Sequence, residues 1–142
     1  MNQEIQALWT GALRSGAYNQ GSGVLKTQTG EFCCLGVLCE LAVEAGVIPP
    51  AQETKSLDAD APDSTVGYQY GSETGILPNA VQEWAGLNDT EGTYEMTDAE
   101  MTERYGRYWE DTNSYQKTSL IVANDSYDKT FYQIADLIEK HF

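Results

Sequence analysis

Phe32-Cys33-Cys34-Leu35-Gly36-Val37-Leu38-Cys39-Glu40-Leu41-Ala42-Val43-Glu44-Ala45-Gly46 is the stretch that decides the fold. Leu35, Val37, Leu38, Leu41, Ala42 and Val43 fall on nearly every face of a helix with 3.6 residues per turn. A helix that is apolar all round has no face to give to water, so the spacing predicts a central, largely buried helix over 33–45. Gly46 closes it, and Pro49-Pro50 keeps it closed. Gly36 in its interior costs about 1 kcal/mol against Ala. That cost points to another backbone passing close by.

Working outward, Ile5, Leu8, Trp9, Ala12 and Leu13 recur at helical spacing over residues 2–15, with Gly16 at the end. A polar, glycine-rich loop follows (17–23). Val24–Thr27 and Glu31-Phe32 then flank Gln28-Thr29-Gly30, which predicts a short hairpin. On the other side of the central helix, residues 51–75 read as one long acidic loop, with a small hairpin around Val66–Tyr70. Pro78 suits the first turn of a helix over 78–85 that buries Val81 and Trp84, with Gly86 closing it. Thr97-Asp98-Ala99-Glu100 is a capping box that starts a helix at 98. A helix over 115–123 buries Leu120 and Ile121 and breaks at Asn124-Asp125. The last helix has a capping box at Thr130 and Gln133, and packs Phe131, Ile134, Ala135, Leu137 and Ile138 inward. The fold expected is a single, mostly helical α+β domain over 1–142, with the central helix buried and one or two small β-hairpins.

Composition narrows the function classes. Eight Lys and Arg against 22 Asp and Glu give a net charge of −14, which repels phosphate and argues against general nucleic-acid binding. No apolar run approaches the roughly 18 residues of a membrane span. Asn2-Gln3-Glu4 is not the basic start of a secretory signal, so a cytoplasmic protein is expected. His141 is the one imidazole, which removes most histidine-dependent chemistry. Cys33, Cys34 and Cys39 are an odd, clustered set. They read as free thiols buried in a reducing compartment, since zinc needs a fourth soft ligand and vicinal bridges are strained. No metal or cofactor is expected. Asp58-x-Asp60 begins like a calcium loop, but Pro62, Asp63 and Gln69 stand where that loop needs other residues. Gly21-Ser22-Gly23 precedes a predicted strand and lacks Gly-Lys-Ser/Thr, so it is no phosphate loop.

Two motifs carry a resemblance. Trp9-x-x-Ala12-Leu13-Arg14-Ser15-Gly16-x-Tyr18-x-Gln20-Gly21-x-Gly23-x-Leu25 is followed by Phe32-Cys33-Cys34-Leu35-Gly36-Val37-Leu38-Cys39. The tail runs Ser119–Asp125, then Thr130-Phe131-x-x-Ile134-Ala135-Asp136-x-Ile138-Glu139. Together these resemble a family of small uncharacterised phage and prophage proteins, with Phe32 in place of their Tyr. The resemblance covers about the first 46 and last 25 residues and implies a phage origin, hence the bacterial host cytoplasm. It carries no activity with it.

Three constellations could bear function. Cys33 or Cys34 at a helix N-terminus could be a low-pKa nucleophile of a cysteine hydrolase, with His141 as the only base on offer. Arg14, Tyr18, Asn19 and Gln20, with Asn124 and Asp125 as neighbours, could bind a small ligand such as a nucleotide signal. Alternatively, Arg14 simply pairs with a carboxylate, Glu40 or Asp125. Tyr94, Tyr105, Tyr108 and Trp109, interleaved with acids over 88–111, suit docking on a basic host protein, imitate the charge spacing of nucleic acid, or simply solvate a helix. Tyr68, Tyr70 and the tyrosines of 105–108 also leave a homodimer open. The leading expectation is a non-catalytic phage accessory protein that binds a host component and antagonises a host defence system. The alternatives are the small-ligand binder and the hydrolase.

Overall fold

A computed structural model describes residues 1–55, 65–112 and 116–142. Among these, six α-helices and two antiparallel two-stranded sheets follow the chain order α1 (Gln3–Arg14), α2 (Cys34–Glu44), β1 (Gln52–Lys55), β2 (Thr65–Gln69), α3 (Asn79–Ala85), β3 (Thr93–Glu95), α4 (Asp98–Tyr105), β4 (Lys117–Ser119), α5 (Leu120–Asp125) and α6 (Phe131–His141). A 3₁₀ turn at Trp109–Thr112 follows α4. This is the mostly helical α+β architecture that the apolar periodicity predicts. No helix among the described residues is long and apolar enough to cross a membrane.

Helix α2 is the centre. Cys34 through Cys39 and Ala42 are all buried, and α1, α3 and α5 pack around it. The Trp9 ring is fully buried against it, and its indole N–H donates to the Cys34 carbonyl at 2.9 Å. Leu25 crosses α2 at Gly36, where a Cβ would stand 1.8 Å from the Leu25 carbonyl oxygen. The close backbone approach expected at Gly36 is therefore present. Gly92 plays a similar part at Leu120, where a Cβ would stand 2.8 Å from Leu120 Cδ1.

The capping chemistry works as the sequence dictates. Asn2 Oδ1 accepts from Glu4 N at 2.9 Å, and Asn2 N donates to Ala85 O at 2.9 Å, tying the chain start to α3. Both capping boxes, at Thr97/Glu100 and Thr130/Gln133, are closed in both directions. Gly86 caps α3 in the left-handed region at φ 70°, while Pro78 stands one residue before the helix.

Four local expectations change. The hairpin expected at 24–32 reduces to a single bridge of Lys26 with Phe32, because Phe32 also bridges Gln20 and both Leu25 and Phe32 are drawn into the core. The stretch at Val66–Tyr70 is one strand, not a whole hairpin: β2 pairs with β1, Gln52 opposite Gln69. The helix expected over 115–123 starts only at Leu120, because Lys117–Ser119 extends to pair with β3, Glu95 opposite Lys117. Tyr70 is fully buried, donating its hydroxyl to Glu40, and is no surface aromatic. Asp58, Asp60 and Tyr115 lie outside the described residues.

Candidate functional site

The thiols come first, because α2 places them. Cys33 is the N-cap, and its Sγ accepts the Gly36 N–H at 3.4 Å. The helix dipole alone would lower such a thiol. Burial outweighs it. Removal from water pushes Cys33 up to about 11 despite the hydrogen bonds of Gly36 and Leu35, and drives Cys34 and Cys39 upward as well. The expected base is elsewhere engaged. His141 is the last residue of α6, its side chain only 10% exposed, and Nε2 meets the Glu100 carboxylate at 3.0 Å. Its ring stacks on Tyr94 at 4.6 Å between centroids. Residues at the end of a helix commonly fray, but His141 is docked. Among the described residues no group of three or more His, Cys, Asp or Glu could hold a metal.

The loop after α1 divides into two. Arg14 turns away from it and pairs with Asp136 and Glu139 on α6, neither of which is Glu40 or Asp125. Tyr18 packs edge-on against Phe32 at 5.3 Å, and Asn19 contributes its carbonyl to Phe32 N at 2.8 Å. Gln20, Asn124 and Asp125 do come together. Gln20 Nε2 donates to Asn124 Oδ1 at 2.9 Å and to Lys129 O at 2.7 Å, and its Oε1 accepts from Phe131 N at 3.1 Å. Buried Asn124 donates to Gly21 O at 2.8 Å and to Asp125 Oδ1 at 2.7 Å, while Asp125 Oδ2 accepts from Gly23 N at 3.1 Å. These groups satisfy one another, as buried polar groups must, so the triad is a latch between the loop and the α5–α6 turn. An open depression at the latch is lined by Gln20 and Asn124 themselves, together with Gly21, Ser22, Asp128 and Thr130.

The acidic, aromatic segment also divides. Tyr94 is 7% exposed and lies in the core, so it is unavailable as a docking anchor. Its inward direction follows from strand geometry: on β3, Tyr94 is buried and Glu95 exposed, and Met96, just past the strand, is buried again. Trp109 is half-buried against the core. Tyr105 and Tyr108 are 40% and 68% exposed, and Glu91, Glu95, Asp98, Glu103 and Glu110 around them in sequence are exposed as well. Arg107 lies beside the Tyr108 ring at 5.9 Å.

Sequence reasoning missed a crevice between α4 and α6. Tyr94, Met96, Tyr127 and Leu137 form its apolar walls, with Arg104 and Lys129 beside them, and it encloses about 190 Å³. The Arg104 guanidinium stacks on the Tyr127 ring at 3.8 Å. Lys129 Nζ meets Glu103 at 3.2 Å. Glu100, the partner of His141, also meets Lys140 at 3.3 Å and accepts from Thr97 N at 2.7 Å. Burial raises this carboxyl, but the hydrogen bonds of His141 and Thr97 outweigh it and hold it down at about 2. A signal for the docked His141 was present in the spacing Ile134, Ile138, His141, which continues the buried stripe of α6.

No curated protein and no solved structure matches the chain. The model of the family described as Domain of unknown function (DUF8296) matches residues 1–142, so the chain belongs to that family.

Proposed function

We propose that this chain is a non-catalytic binding protein of phage origin that acts in the bacterial host cytoplasm. It docks the Tyr105–Tyr108 face on a basic surface of a host component, and antagonism of a host defence system is the use we assign to it. One observation carries the reading: Tyr105 and Tyr108, at 40% and 68% exposure, project from a segment whose neighbouring acids are also exposed. Large amphipathic rings held outside a core are the anchors that interfaces favour. The −14 charge adds long-range attraction toward a basic partner. The phage-like motifs supply the origin, and the burial of all three thiols weighs against the hydrolase alternative.

The test is capture from bacterial lysate on the immobilised chain, with a Tyr105→Ser/Tyr108→Ser variant alongside. The expected result is a basic host protein retained at low salt, weakened at about 0.5 M salt, where the screening length falls to a few ångströms, and lost with the double variant. Retention that neither salt nor the double variant reduces, or no retained protein, overturns the reading.

A further inference from the structure

The crevice between α4 and α6 differs electrically from the rest of the molecule. Most described cations are bound to carboxylates: Arg14 to Asp136 and Glu139, Lys26 to Glu40, Lys129 to Glu103, Lys140 to Glu100. Arg104, Arg107 and Lys117 are not among these, and of the three only Arg104 lines the crevice. Among the described residues no carboxylate lies within ion-pair distance of it, and its plane rests on Tyr127 at 3.8 Å. The guanidinium also meets the Tyr127 hydroxyl, which engages part of its five-donor fork and leaves the rest without a carboxylate among the described residues. The two carboxylates of the crevice, meanwhile, are both engaged, Glu103 by Lys129 and Glu100 by Lys140, His141 and Thr97 N. The four charged side chains of the lining therefore balance, and Lys140 tips the local sum to positive in a chain of net charge −14.

We infer that this crevice binds a small monocarboxylate with an aromatic body. A carboxylate matches the planar fork of Arg104. Tyr94, Met96 and Leu137 offer the apolar floor that such a body requires. A single guanidinium with no carboxylate partner among the described residues neutralises one negative charge, and a phosphate dianion would face the surrounding acids with a charge in excess. The volume of about 190 Å³ is ample for a ring with a short side chain, since one water needs about 10–15 Å³ of such space. Tyr127 of its wall meets Tyr105 of the docking face, so the two are neighbours, but the titration below uses no host protein and its failure is distinguishable from failure of the proposed function.

The experiment titrates ¹⁵N-labelled protein with 3-phenylpropionate, and in parallel with 3-phenylpropanamide and 3-phenylpropylamine. The expected result is saturable shifts at Met96, Arg104 and Tyr127 for the carboxylate, with the amide and the amine at least tenfold weaker. Arg104→Gln, at an exposed position, folds and weakens the carboxylate at least tenfold, bringing it to the level of the amide. Leu137→Trp, which fills the crevice, abolishes the shifts while leaving the remaining spectrum in place. No saturable shift up to about 10 mM, which marks a Kd weaker than any specific small-molecule site, overturns the inference. So does equal binding of the amine, or unchanged affinity in Arg104→Gln.

Discussion

Replacing Gly36 by Ala sets two opposed effects against each other, and the structure decides between them. In an isolated helix the change is favourable by about 1 kcal/mol. Here the new methyl would stand 1.8 Å from Leu25 O and 2.7 Å from Leu25 C. Both are backbone atoms, so no rotamer change relieves the clash. The segment must retreat by more than about 1 Å, and interiors packed to crystal density do not absorb that. Retreat breaks the Cys33 N–H···Leu25 O bond at 3.2 Å and strains Leu25 N–H···Thr74 O at 2.7 Å. It also begins to uncover Leu25, which is fully buried. One or two hydrogen bonds at about 1 kcal/mol each, part of a leucine's burial at about 1.5–3 kcal/mol and overpacking strain of about 1–3 kcal/mol outweigh the helical gain. The expected destabilisation is about 3–5 kcal/mol, a large share of a domain's marginal stability. Gly11→Ala is the matched control. It makes the same chemical change on the exposed face of α1, where a Cβ meets nothing within 4 Å, and should stabilise by about 0.5–1 kcal/mol. Urea unfolding of the three proteins, compared at equal slope, reads both. A Gly36→Ala midpoint within about 1 kcal/mol of the parent, or the same sign for both substitutions, would refute the close-approach argument.

Two further outcomes follow from burial and charge. With Cys33 held up at about 11 and Cys34 and Cys39 also raised, iodoacetamide at neutral pH should label none of the three thiols in the native protein and all of them in urea, as intact mass will show; rapid native labelling contradicts the packing. Glu100→Gln keeps a capping-box residue but removes the charge that meets Lys140 and His141. The parent carboxyl sits at about 2 rather than its ordinary 4.5, so its contribution is complete above pH 4.5 and is lost as pH falls toward 2. The variant should be about 1–3 kcal/mol less stable at neutral pH, and the difference should shrink through that acid window; a gap that stays constant down to pH 2 removes the ion pair from the account.

What could be read from the chain was whatever is written in local order. The all-round apolar run fixed α2 and its role. Gly36 betrayed the crossing backbone because glycine inside a good helix has few other uses. The two capping boxes set the starts of α4 and α6. What escaped was set by partners far along the chain. Lys117-Thr118-Ser119 is too short and too polar to show a period of two, and it becomes a strand only because Thr93–Glu95 lies opposite. The β1–β2 ribbon joins a polar stretch, Gln52–Lys55, to a strand across an intervening segment. Arg14 had 22 acids to choose from, and its two partners stand on α6. Tyr94 was misplaced for a different reason. Its neighbours are charged, and interleaved charge resembles a surface until the alternation Tyr94-Glu95-Met96 is read as a strand.

The placement of the cations ties these observations to function. In a chain so acidic, scattering the few positive charges over the surface would lower self-repulsion a little everywhere. The fold instead sets several of them at seams: Arg14 between α1 and α6, Lys129 between the α5–α6 turn and α4, Lys140 and His141 between α6 and α4. The exposed pairs of Arg14 and Lys129 add little stability singly, so their value lies in fixing how the elements meet, whereas the pair of Glu100 with His141 is largely buried. The consequence for the surface is that Glu91, Glu95, Asp98 and Glu110, outside these pairs, are exposed in the segment that carries Tyr105 and Tyr108, with Arg104 and Arg107 beside the two rings. Such a field speeds encounter with a basic partner, whereas the tyrosine rings, which must be desolvated on contact, govern how long the partner stays. Salt should therefore act on the association rate of a docked partner, and truncation of Tyr105 and Tyr108 on its dissociation rate. A face that was merely a solvating coat would couple neither rate to those two side chains.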